Sequence, residues 1–207
     1  MHSKRTSIAA LVLFFGCAHQ AVAGSNDVAE IYGKFLDAWT GNEKASINVS
    51  VSAKAPSAEE LKDIADCAPK GKSVHWMQSE PISDLTGSIG NLSYVHLVDP
   101  DKWSPRDPSD LMAQGQSVDS AVKSGFEGGL FTFSAIVFDE AHGTAAFAYS
   151  FSCGALCGNG GTVIFHKGPR GWVRSSKPCG NWMSYLLEGR SNNSFKPNLL
   201  RYIKRAA

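Results

Sequence analysis

The sequence predicts an α+β domain: an N-terminal amphipathic helix packed on an antiparallel sheet that ends in a four-stranded meander. Three observations carry this expectation. Residues 26–40 place apolar side chains at helical spacing. Four short β-type runs follow one another between residues 131 and 177. The gaps between those runs are short and turn-rich, which suits antiparallel neighbours.

The segment before the helix reads "MHSKRTSIAALVLFFGCAHQAVAGS". Lys4 and Arg5 precede an uncharged run from Ile8 to Phe15, and Ala21-Val22-Ala23 supplies a small-x-small cleavage pattern. Residues 1–23 therefore read as a signal peptide cut before Gly24, and the run is too short to span a bilayer, which needs roughly 20 apolar residues. Cys17 after Gly16 opens a second reading, a lipoprotein anchor, but Phe14 and Phe15 suit that signal poorly. The expected location is periplasmic or secreted. What remains is one domain over 24–189 and a basic tail over 190–207.

Removing Cys17 leaves Cys67, Cys153, Cys157 and Cys179, an even number suited to two disulfides in an oxidising compartment. The mature chain carries 18 Lys and Arg against 19 Asp and Glu. Five of those bases (Arg190, Lys196, Arg201, Lys204 and Arg205) follow the last acid, Glu188. Residues 24–189 thus have a net charge of −6, which gives no reason to expect a nucleic acid partner. The expected partner is a protein or a small ligand.

In the predicted first helix Val28, Ile31, Phe35, Leu36 and Trp39 share one face, Ser25 or Asn26 can cap it, and Gly41 ends it. "SINVSVS", 46–52, alternates as a half-buried strand does. Ser57 and Glu60 form a capping box opening a helix with Leu61, Ile64 and Ala65 inward and Cys67 at its end. Strand-like pieces follow at 73–77 and 93–98, a proline-containing exposed loop at 99–117, and a short helix at 118–124. The meander consists of "FTFSAIVF", "TAAFAYSFS", "TVIFHK" and "GWVRSSK", and "CGNWMSYLL" closes the domain.

"CGALCGNGG", 153–161, lies between the second and third runs. Four residues of extended chain would hold the α-carbons of Cys153 and Cys157 about 13 Å apart, whereas a disulfide needs roughly 4.4–6.8 Å. The loop must turn back if they pair, and Gly154 and Gly158 permit this. The preferred connectivity is Cys153–Cys157 with Cys67–Cys179.

Residues 131–184 resemble a group of uncharacterised exported bacterial proteins. The resemblance rests on Cys153, Gly154, Leu156, Cys157, Gly158 and Gly160, then Gly171 and Trp172, then Trp182 and Ser184. The Ile31-Tyr32 helix and the Phe133-Ser134 and Val137-Phe138 pairs extend it over most of 28–184. It implies the same fold and no named activity. The tail "NNSFKPNLLRYIKRAA" resembles ends produced when translation runs into the recombination site of an integron gene cassette.

Other chemistry has weaker signals. Cys153, Cys157, His166 and Cys179 have a C-x3-C-x8-H-x12-C spacing suited to tetrahedral zinc or to copper. A thiol-redox pair at Cys153 and Cys157 would lack the helix that activates such thiolates, since a strand follows. Ser120 and Lys123 match S-x-x-K, and His166-Lys167-Gly168 is a poor third element for that hydrolase group. His75 and His96 read as half-buried strand residues and His142 as a solvated turn. Asp139–Glu140 and Glu59–Glu60 read as turn and helix-start carboxylates. The leading expectation is a non-catalytic binding module, with Trp76, Trp103 and Trp182 as surface candidates.

Overall fold

The computed structural model describes residues 25–68, 74–77, 79–155, 157–176 and 179–184. The expected leader with Cys17 and the basic tail fall outside the described residues. Helix α1 (Ser25–Thr40) buries Val28, Ile31, Phe35 and Leu36 as its spacing requires, with Trp39 half-buried. Tyr32 is also fully buried, and its hydroxyl donates to the Ser134 carbonyl at 2.7 Å. Gly41, at φ +61°, turns the chain out of the helix.

Strand β1 (Ile47–Lys54) follows, then α2 (Ala58–Cys67). The capping box forms: Ser57 accepts from the Glu60 N–H, and the Glu60 carboxylate accepts from the Ser57 N–H. Ile64 is buried, but Leu61 and Ala65 face solvent, against expectation. The helix meets the sheet through Ile64 and Cys67, so its N-terminal turn covers little. After α3 (Thr86–Ile89) comes β2 (Val95–Val98). The strand expected at 73–77 reduces to one bridge between Trp76 and Asp139.

The loop expected over 99–117 contains a helix, α4 (Pro108–Ala113), and α5 spans Val118–Glu127. Asp107 caps α4 by accepting from the Ser109 N–H, and Pro108 occupies a first-turn position that needs no N–H. Strands β3 (Leu130–Ser134), β4 (Val137–Phe138), β5 (Thr144–Gly154), β6 (Cys157–Gly168), β7 (Gly171–Arg174) and β8 (Cys179–Ser184) complete the domain.

The sheet order is β2-β1-β3-β5-β6-β7, with β4 also on β5 and β8 also on β6. The C-terminal meander β3-β5-β6-β7 is antiparallel, as predicted. The sheet as a whole is mixed, because β1 runs parallel to both β2 and β3. Parallel neighbours need a long crossover, and the segments holding α2 and α3, then α4 and α5, supply it. Helices dispersed between strands, invisible in a strand count, made the purely antiparallel reading too simple.

Alternation along the strands gives the sheet two faces. Phe131, Phe133, Ala145, Phe147, Val163 and Phe165 pack under α1 in the main core. Val137, Ala146 and Ile164 form a smaller core with Ile64 on the α2 side. Three side chains of α1 clamp Trp172 at the start of β7. Asp27 accepts from its indole N–H at 2.9 Å, Glu30 accepts from its backbone N–H at 2.9 Å, and Lys34 donates to its carbonyl. Gly171 is at φ +98°, and a β-carbon there would lie 2.1 Å from Glu30 Oε1. The Gly171–Trp172 element therefore docks the helix.

The Lys34 hydrogen bond, with the Trp172 N–H, holds the Glu30 carboxyl below its ordinary range despite some desolvation. A lowered folded value means stability that is present above the unfolded carboxylate range and is lost as pH falls through the folded value. Glu30→Gln should thus destabilise at neutral pH, and the gap to wild type should narrow at a pH below the ordinary carboxylate range. Urea midpoints of the two proteins at both pH values check this.

Candidate functional site

Two disulfides are formed. Cys153 and Cys157 are bonded, with α-carbons 5.0 Å apart, and Cys67 bonds Cys179 across a sequence separation of 112 with α-carbons 5.7 Å apart. The turn that closes the first is tighter than the glycine content suggested. Gly154 pairs with Cys157 in the ladder, at φ +140°, so the hairpin is already closed there. Cys153 is fully buried in the main core, and Cys157 packs against it half-buried. Asp107 holds the hairpin end by accepting from the Ala155 N–H.

The glycines after Cys157 serve the sheet. Gly158, Gly160 and Gly161 are residues of β6, paired with β5. A β-carbon at Gly160 would lie 2.5 Å from Trp182 Nε1, and one at Gly161 would lie 2.3 Å from Asn181 Oδ1. The glycines leave seats for side chains of β8, which is why "GNGG" reads as a loop by composition and forms a strand.

The metal set Cys153, Cys157, His166 and Cys179 is not brought together. Cys157 begins β6 and His166, exposed, lies nine residues along it, about 30 Å away at strand rise. Cys179 sits beside Thr162 and is bonded to Cys67 on α2. Among the described residues no group of three or more His, Cys, Asp or Glu is gathered closely enough to hold a metal ion.

The S-x-x-K pair shares α5, but each member has a local partner and the third element is remote. Ser120, exposed on α5, donates to Gln116 ahead of the helix, and Lys123 pairs with Glu127. Lys167 lies at the other end of the β5–β6 ladder, 3.3 Å from Asp27 and over the Trp172 ring. The carboxylate pairs have local duties. Asp139 accepts from the Gly143 and Thr144 N–H groups at 2.7 and 2.8 Å, and Glu60 closes the capping box. His75 and His96 are exposed rather than half-buried. His142, expected in solvent, stands at φ +52° with its ring stacked on Phe138 at 5.1 Å.

The three tryptophans separate clearly. Trp103 donates its indole N–H to the Gly128 carbonyl, tying the proline loop to the end of α5. Trp76 is half-buried against the smaller core. Trp182 is 49% exposed, and its neighbour Met183 on the opposite face of β8 is 41% exposed. β8 pairs with β6 on one side and with no strand on the other, among the described residues. Composition gave no signal for Met183.

Set against known families, curated proteins and solved structures, the chain matches none. No helix among the described residues is long and apolar enough to cross a membrane.

Proposed function

We propose that the chain is an exported, disulfide-stapled binding domain, released by cleavage before Gly24, that meets a protein partner along strand β8. The observation that carries this reading is the exposure of Trp182 and Met183 on an outer strand. Monomeric proteins protect outer strands, because unpaired backbone groups beside apolar side chains recruit another strand. An extended partner segment would pair with that edge while side chains on either face give selectivity. Tryptophan is suited to the centre of such a contact, being large, stiff and able to donate one hydrogen bond.

The strand is prepared for this role at both ends of the argument. Cys179, its first residue, is fixed to α2, and Gly160 seats the Trp182 indole. The net negative body argues for a protein partner over nucleic acid. The signal pattern over residues 1–23 supports export, and the likeness of residues 191–207 to a translated cassette end supports a tail without a folded role.

A photo-crosslinking amino acid placed at position 182 in the exported protein tests the reading, with position 118 as control, since Val118 is 56% exposed on α5. A discrete adduct from 182 that is absent from 118 is expected. Equal crosslinking from the two positions, or none from 182, would overturn the assignment of β8 as the contact strand.

A further inference from the structure

On the α1 side of the sheet, four side chains from α1, β5 and β7 form one cluster. The Tyr149 ring lies 4.9 Å from that of Phe35 and 6.0 Å from that of Trp39. The Arg174 guanidinium lies over the Phe35 ring, 5.4 Å from its centre. Phe35 is fully buried, whereas Trp39, Tyr149 and Arg174 are half-buried, so the cluster opens to solvent.

Its donors bond to no protein acceptor among the described residues. The ion pairs among the described residues use Lys34, Lys44, Lys102, Lys123 and Lys167, never Arg174. Neither the guanidinium nor the Tyr149 hydroxyl nor the Trp39 indole N–H makes a hydrogen bond within the described residues. Asn159, two pairs along the ladder from Gly161 and Tyr149 and on the same face, has a buried Oδ1 that no donor reaches among the described residues. In a body with net charge −6, carboxylates are abundant, yet none among the described residues pairs with Arg174. A guanidinium drawn partly out of water without an anion is costly, because its lost hydration is not replaced. Burial depresses the Arg174 pKa and raises that of Tyr149, and the Arg174 charge opposes the rise.

We propose that Arg174, Tyr149 and Trp39 form a binding site for a small organic carboxylate. The planar guanidinium fork matches two carboxylate oxygens, and the Tyr149 hydroxyl supplies a further donor. The half-buried faces of Trp39 and Tyr149 receive the apolar body of the ligand. The cluster stands on α1, β5 and β7, and Trp182 lies on the opposite face of β8 from Met183, the partner of Asn159, so failure of the crosslink at position 182 leaves the site untouched.

The test uses benzoate as probe and benzamide as its uncharged counterpart, read by the ¹H–¹⁵N signals of the Trp39 indole and the Arg174 side chain. Benzoate should shift both saturably at millimolar concentration, and benzamide should shift neither. Arg174→Met, which keeps an apolar stem over Phe35, should weaken benzoate binding by about tenfold or more. Tyr149→Phe should weaken it by about threefold or more, and stands in if Arg174→Met does not fold. Absence of benzoate shifts, equal shifts with benzamide, or unchanged affinity in either folded variant would overturn the proposal.

Discussion

Replacing both Cys67 and Cys179 with serine should lower the unfolding free energy by about 4–5 kcal/mol, the loop-closure term for a separation of this size. A domain has only about 5–15 kcal/mol in total, so a guanidinium chloride titration should show a large drop in midpoint. The Cys153–Cys157 pair has a separation of only 4, and its removal should cost about 2 kcal/mol by the same relation. The two losses differ in place as well as size. Cys67 and Cys179 join α2 to the outer strand, so their loss also frees β8 from the helix that anchors it. A midpoint unchanged by the Cys67/Cys179 replacement would mean that the smaller core and the β6–β8 ladder hold that strand unaided.

The second large effect is expected at Phe35. Its ring meets those of Trp39, Phe131, Phe133, Phe147 and Tyr149, all with centroids within 6.3 Å. It is fully buried, and truncation to alanine leaves a cavity that rings on three elements cannot jointly fill. Phe35→Ala should cost about 3–5 kcal/mol. The same change removes the surface on which Arg174 rests, so carboxylate binding should weaken with it. Thermal or denaturant unfolding of the variant checks the first statement.

Much of this arrangement was legible in the residues. Helical spacing identified the buried face of α1, and Ser57 with Glu60 marked the start of α2, because both are local rules obeyed within a few residues. The preferred disulfide connectivity is the one formed, although the even count left three pairings open and the distance over four residues required only that the loop turn back. Tyr32 was not placed on that face, and the Ser134 carbonyl that lets its hydroxyl be buried is 102 positions away. The parallel placement of β1 escaped for a similar reason, since strand direction depends on where the intervening helices pack. "GNGG" misled because glycine marks both a turn and a close approach, and only Trp182 and Asn181 in space distinguish the two. Arg174 carried no signal at all: an arginine at the end of a strand is ordinary until the acceptors around it are counted.

The proposed function rests on an exported chain in which Cys67, Cys153, Cys157 and Cys179 are paired as structural staples. It is tested most directly by mass spectrometry of the non-reduced protein recovered from the periplasm, digested and mapped. The account predicts a mature chain beginning at Gly24, one peptide pair joined through Cys67 and Cys179, and a bridge between Cys153 and Cys157. Free thiols at Cys153 and Cys157, or a bound mass that a chelator removes, would contradict it and make that hairpin the reactive centre.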